Sequence, residues 1–203
     1  TSVLLPKKKI KAKIISRQEG ILAGIRFARD IFYLKGCRVR IIKKDGAKVK
    51  PNQTILQVSG DAKAVLSCER TVLNLLARMS GIATQTSLLV SKIRKINRKT
   101  KLYSTRKTAP GLRFFDKEAV AIGGGHKHRM SLNDMVMIKD NHLLVSNSIE
   151  NITKNARKQH RDVEVEVENQ RDAMIAASSG ATIVMLDNFS PAQIKKTISA
   201  LQK

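Results

Sequence analysis

From residue 101 onward, a strand pattern and a helix pattern alternate four times, and this rhythm constrains the fold more than any other feature. Lys101–Thr105 reads as a strand and is followed by a helix around Leu112–Ile122. Met135–Ile138 precedes a helix from about Asn147 to Gln159, and Val163–Val167 precedes Gln170–Ser178. Thr182–Leu186 precedes a helix opened by Ser190 as N-cap with Pro191 at its first position. Repeated strand–helix units connected right-handedly imply a parallel sheet. In such architectures a ligand site forms at the carboxyl ends of the strands, from the loops that follow them.

The residues in those positions are charged. Arg106-Lys107 follow the first strand, Lys139-Asp140 the second, Glu168 the third and Asp187-Asn188 the fourth. Between the first two units lies GGGHKHR, residues 123–129. The earlier loops therefore supply cations: Arg106, Lys107, Arg113, His128, Arg129 and Lys139. The last two strands supply carboxylates, Glu166 and Asp187. Arginine grips carboxylate or phosphate through a two-pronged contact, and lysine adds a compact charge. Half of such a rim suits anionic groups, and the other half suits sugar hydroxyls or a metal ion. A phosphorylated sugar with Mg²⁺, beside a carboxylate-bearing co-substrate, satisfies both halves.

Each motif also has a plainer reading. TRKTAPGLR can be a basic surface loop. GGGHKHR is neither a Walker A sequence nor G-x-G-x-x-G, and by itself is equally a solvated turn. VEVEVE can be a strand with one wet face, although its alternation sets Glu164, Glu166 and Glu168 on a single side. If that side lines an interior, its carboxylates require cations or metal. Asp187-Asn188 can cap the following helix. His142 and His160 read as structural or exposed, and Cys68 as a buried helix residue.

Upstream, the pattern differs. Residues 8–16, KKIKAKIIS, alternate apolar residues with lysines as a half-buried strand does. A helix is expected across Gly24–Leu34, then strands over Cys37–Lys43 and Gln53–Val58 with a turn at Asp45-Gly46. Residues 1–60 thus form a small sheet-rich domain. Asp61 can cap a helix that ends near Gly81, and a second helix is expected over Thr84–Ile96, so that residues 61–100 connect the two domains.

Composition bounds the function class. The chain has 39 Lys and Arg against 16 Asp and Glu, a formal charge of +23, which favours anionic partners of every kind. Aromatic residues are only 3%, with no Trp, which argues against a base-stacking platform for single strands. No zinc-finger, RNA-recognition or basic-zipper signature accompanies the charge, so nucleic acid is a weaker expectation than a small anionic substrate. No apolar run reaches the roughly 18–20 residues needed to span a bilayer, and TSVLLPKKKIKAK has too short an apolar stretch for a signal peptide. Two cysteines, Cys37 and Cys68, make no disulfide framework, and the simplest setting is a reducing cytoplasm.

Six stretches, in their order and spacing, carry a resemblance: ERTVLNLLARMSGIAT (69–84), STRKTAPGLR (104–113), GGGHKHR, LNDMVMIKDNH (132–142), VEVEVEN (163–169) and MLDNFSP (185–191). Together they resemble quinolinate phosphoribosyltransferase, also called nicotinate-nucleotide pyrophosphorylase (carboxylating), from about residue 10 onward. The resemblance implies an α/β chain, with a small N-terminal α+β open sandwich followed by an open (β/α) barrel-like catalytic domain over 101–203. It implies transfer of a phosphoribosyl group from phosphoribosyl pyrophosphate to quinolinate with decarboxylation, giving nicotinate mononucleotide, pyrophosphate and CO₂ in NAD biosynthesis, with Mg²⁺ as cofactor. By the same resemblance Arg106, His128 and Arg129 hold the quinolinate carboxylates, and Lys107 and Lys139 lie near the ring and the pyrophosphate donor. Glu166 and Asp187 bind ribose hydroxyls and Mg²⁺ and can stabilise an oxocarbenium-like centre. Arg70 crosses the interface of a homodimer, or of an assembly of dimers, into the neighbouring site. His126 and Lys127 are expected bystanders. The family continues past MLDNFSP into further strands with glycine-rich loops for the 5′-phosphate, whereas 16 residues follow Asp187 here. The family's opening helical segment is also missing. The expectation is a fragment or shortened copy with an incomplete barrel, and a shortened non-catalytic relative or a basic nucleic-acid-binding module are the alternatives.

Overall fold

The computed structural model describes residues 8–146 and 148–202, in two units divided between Met130 and Ser131. In the first unit, strand β1 (Lys9–Ile15) pairs antiparallel with β5 (Thr54–Asp61), whose other edge carries β3 (Arg38–Ile41), giving the order β1-β5-β3. The alternation in KIKAKII explains the geometry. Ile10, Ala12 and Ile14 pack toward the core while Lys9, Lys11 and Lys13 stay exposed. Helix α1 (Ile25–Leu34) covers that apolar face with Ile25, Ala28 and Phe32, all buried. Two short strands that the sequence pattern does not reveal, β2 (Gly20–Ile21) and β4 (Lys48–Val49), pair with each other.

Helix α2 corrects the expectation of two helices. It runs unbroken over Ala62–Ile96, 35 residues, with Asp61 accepting from the Lys63 amide as N-cap. A glycine inside a helix costs only about 1 kcal/mol relative to alanine. Burial of Val72, Leu76, Met79, Ala83, Thr86 and Val90 along one stripe spans Gly81 on both sides and offsets it. The apolar stripe continues through the glycine, so the helix does too.

The segment Lys101–Thr105 is also corrected. Among the described residues it makes a single parallel bridge, Tyr103 with His126, and not a full strand of the later sheet. The His126 amide donates to the Leu102 carbonyl at 2.8 Å and the Ser104 amide to the His126 carbonyl at 2.9 Å. Its partner is thus the segment after the glycines, and helix α3 (Arg113–Ile122) joins the two.

The second unit is a three-stranded parallel sheet, β6 (Val136–Ile138), β7 (Val163–Val167) and β8 (Ile183–Leu186), in the order β6-β7-β8. Val163, Val165 and Val167 are buried with Ala173 and Ala176 of α6 (Gln170–Ser178), and Ile149, Ile152 and Ala156 of α5 (Ile149–Gln159) pack against them. Helix α7 (Pro191–Leu201) opens with a reciprocal capping box between Ser190 and Gln193. A short α4 (Asp140–Ser146), absent from the expected pattern, follows β6 directly. The expected helix start at Asn147 falls outside the described residues, as do residues 1–7 of the amino terminus; Ser148 caps α5. The chain is α/β, a small N-terminal sheet domain with a parallel-sheet and helix domain after it.

Candidate active-site residues in each unit

In the first unit, the parallel bridge at Tyr103 and His126 decides which charges meet. Two chain segments that run the same way through a bridge leave it at the same end. Arg106-Lys107 and His128-Arg129 therefore emerge together. The Arg106 Nε atom is buried and lacks a hydrogen-bond partner among the described residues, as does that of Arg113. A buried donor without an acceptor is costly, and an anionic ligand would supply one.

The loop between Arg106 and Arg113 folds back on α3. Asp116, 8% exposed at its side chain, accepts from the Ala109 amide at 3.3 Å and holds Arg78 of α2 by two bonds of 2.7 and 2.8 Å. The paired guanidinium, with the Ala109 amide, keeps the Asp116 carboxyl below the usual range against the opposing effect of burial. Sequence reading missed this pair. Its one local signal is an acid placed on the buried stripe of an amphipathic helix.

GGGHKHR proves to be a packed element. A Cβ on Gly123 would lie 2.5 Å from the Ala83 carbonyl oxygen and 2.7 Å from Thr86 Cβ, both on α2. One on Gly125 would lie 2.8 Å from a Val120 methyl. The glycines let this segment approach the long helix closely. Lys127 is likewise held by its neighbours. Its ammonium bonds Glu118, which also holds Arg26 at 3.0 Å, and its carbonyl accepts from Ser104 Oγ at 2.6 Å. His126 is exposed, its ring 5.0 Å from that of Tyr103, and the His128 ring lies 6.0 Å from the same tyrosine. His128 adopts a left-handed backbone with φ 52°. Arg70 is exposed on α2, and its side chain has no intrachain hydrogen bond or ion pair among the described residues.

In the second unit, the alternation of VEVEV places Glu164 and Glu166 on the face opposite the valine core. Glu164 is 1% exposed, so this face is an interior one; Glu168 lies past the strand end and is exposed. Lys139, directly after β6, reaches across to β7, its Nζ 2.7 Å from Glu166 Oε2. Asp187 follows β8, where its amide donates to the Val167 carbonyl at 2.9 Å. Ser190, and not Asp187, caps the next helix. Asp187 Oδ2 instead accepts from the side-chain amide of its neighbour Asn188 at 3.1 Å. His142 accepts the Lys139 amide through Nδ1 at 3.0 Å, a structural role, and His160 is exposed at the end of α5. Lys139, Glu166 and Asp187 thus gather at the carboxyl ends of three adjacent parallel strands.

No cluster of three or more histidine, cysteine or acidic side chains suited to a metal is found among the described residues. Glu166 and Asp187 on neighbouring strand ends are nonetheless the donor type that Mg²⁺ takes when substrate phosphates and water complete its shell. Cys37 and Cys68 are free and buried, and no helix is long and apolar enough to cross a membrane among the described residues.

Comparison with known proteins agrees with this geometry. The model described as quinolinate phosphoribosyl transferase, N-terminal domain, matches residues 1–80, and that of the C-terminal domain matches 82–203. A probable nicotinate-nucleotide pyrophosphorylase [carboxylating] of Archaeoglobus fulgidus is 43% identical over 199 residues, covering 98% of this chain and 77% of the relative. One from Methanothermobacter thermautotrophicus is 41% identical, covering 96% and 71%. The nicotinate-nucleotide pyrophosphorylase structure from Francisella tularensis superposes with a TM-score of 0.91 at 37% identity, over 99% of this chain and 72% of that one. With both family domains matched in sequence order along its length, this chain belongs to the quinolinate phosphoribosyl transferase family.

Proposed function

We propose that this protein transfers the phosphoribosyl group of phosphoribosyl pyrophosphate to quinolinate with loss of CO₂, yielding nicotinate mononucleotide and pyrophosphate in NAD biosynthesis. The observation that carries the reading is the Lys139–Glu166 pair with Asp187 at adjacent strand ends, in a chain whose relatives bear that enzyme's name. Family membership supports catalysis over a shortened non-catalytic relative or a nucleic-acid-binding module.

In this reading Arg106, His128 and Arg129 neutralise the two carboxylates, and the buried Nε of Arg106 gains its acceptor from one of them. Lys107 lies at the ring, and Lys139 at the pyrophosphate. Glu166 and Asp187 take the ribose hydroxyls and face the positive charge that develops on the sugar carbon as pyrophosphate departs. They would also hold Mg²⁺, which when bound neutralises the leaving polyphosphate. Lys139 restrains the Glu166 carboxylate in the free protein, leaving it oriented before substrate arrives. Arg70, exposed on α2, serves a neighbouring subunit's site in a homodimer or higher assembly, and the enzyme works in the cytoplasm.

The test is an assay of the whole protein with quinolinate, phosphoribosyl pyrophosphate and Mg²⁺. Nicotinate mononucleotide and pyrophosphate should appear in equal amounts, only when the metal is supplied. Absence of calorimetric binding of either substrate by protein with intact Arg106 and Lys139 would overturn the proposal.

A further inference from the structure

Lys117, in the middle of α3, is wholly inaccessible to solvent. A buried ammonium carries a large desolvation cost unless polar partners meet it. Its Nζ donates to Ser104 Oγ at 3.0 Å and also to the Lys127 carbonyl. Ser104 Oγ donates to that same carbonyl, closing a triangle. Ser104 stands two residues before Arg106, and Lys127 one residue before His128. The ammonium therefore joins the roots of the two cationic arms.

Its neighbours hold the same arms from either side. Asp116 grips the Ala109 amide beyond Arg106-Lys107, and Glu118 grips the Lys127 ammonium before His128-Arg129. Three consecutive residues of one helix turn fix both loops. Asp116 and Glu118 each have a further partner on the unit's other helices, Arg78 of α2 and Arg26 of α1. Lys117 is the member whose named bonds join one arm to the other.

We infer that Lys117 is a positioning residue that sets the separation of the Arg106-Lys107 and His128-Arg129 arms, and so selects a pyridine with two adjacent carboxylates over one with a single carboxylate. The inference rests on the proposed reaction. Two arms at a fixed spacing bind two linked carboxylates as one chelating contact, whereas a monocarboxylate needs only one arm. Loosening the link costs the dicarboxylate far more than the monocarboxylate.

Lys117→Met keeps the length of the side chain and removes its donors. Calorimetry on the whole protein should show quinolinate affinity falling about ten- to a hundred-fold, the range for lost orienting partners around a binding group. Affinity for nicotinate, picolinate and phosphoribosyl pyrophosphate should change less than about threefold, because their contacts do not span both arms. Ser104→Ala removes only one corner of the triangle, and should shift the same preference in the same direction by less. It serves as the readout if Lys117→Met does not fold. An equal loss for all ligands alongside a lower melting temperature would mark a purely structural lysine and overturn the inference. Unchanged preference in both variants would overturn it while leaving the reaction standing. A wild-type protein that bound no quinolinate would sink the reaction and this inference with it.

Discussion

Lys139 and Glu166 are 27 residues apart in sequence and joined at 2.7 Å between neighbouring parallel strands. With their side chains 37% and 19% exposed, the pair sits at the mouth of the strand ends, within reach of a ligand. Replacing Lys139 by methionine should cost about 10²–10³-fold in kcat, the usual loss when one charge aimed at a transition state is removed. Glu166→Gln should lower kcat similarly with a smaller change in the KM for quinolinate, because in the proposed reaction the carboxylate faces the sugar. Steady-state kinetics of the two variants checks this; an unchanged kcat in both would remove the pair from the chemistry.

Asp116 and Arg78 form a stability device. The Arg78 hydrogen bonds lower the Asp116 carboxyl from its ordinary value, so the folded state binds this proton less readily than the unfolded chain. Its contribution is present above the unfolded value near pH 4 and fades as pH falls through the depressed one. Asp116→Asn should cost about 1.5–3 kcal/mol at pH 7, the range for hydrogen bonds to a charged group. Urea unfolding at pH 7 and near pH 3 should show the gap between variant and wild type narrowing at the lower pH.

Gly123→Ala should destabilise by about 1–3 kcal/mol, since its methyl would meet the Ala83 carbonyl and Thr86 on α2. Gly81→Ala should instead stabilise by about 0.5–1 kcal/mol, because nothing stands within 4 Å of the added carbon and the helix gains a better former. Thermal melts of the two variants would shift in opposite directions. A melting temperature raised by Gly123→Ala would contradict the close approach.

Cys37 and Cys68 are 3% and 4% exposed, and burial, with smaller effects from Cys68 and Asp61, pushes the Cys37 thiol up. A thiol reagent at pH 8 should label neither in the folded protein and both in urea. Because the folded value is raised, the stability from burying the neutral thiol holds below the unfolded value near pH 8.5 and is lost as pH rises through the folded one. Labelling of Cys37 faster than global unfolding would contradict this environment.

Local chemistry alone determined much of this protein. The ends of β7 and α6 are legible to the residue, because a period of two in VEVEV and an Asn169 cap on α6 are properties of neighbouring residues. The charges at the ends of β6, β7 and β8, namely Lys139, Glu166 and Asp187, could also be read as one rim, since parallel strands deliver their ends to one side. The named candidates Arg106, Lys107, His128, Arg129, Lys139, Glu166 and Asp187 come from that rule and from motif resemblance together. Only tertiary structure decided that α2 runs through Gly81, because the apolar stripe on its far side outweighs a local helix breaker. Tertiary structure also turned GGG into a packing surface for Ala83 and Thr86, and buried Lys117 between two loops. Those outcomes depend on contacts between residues distant in sequence, where a glycine or a lysine reads locally as a turn or as an exposed charge. Packing density and the need to satisfy buried donors settle them, and both exist only once the chain has folded.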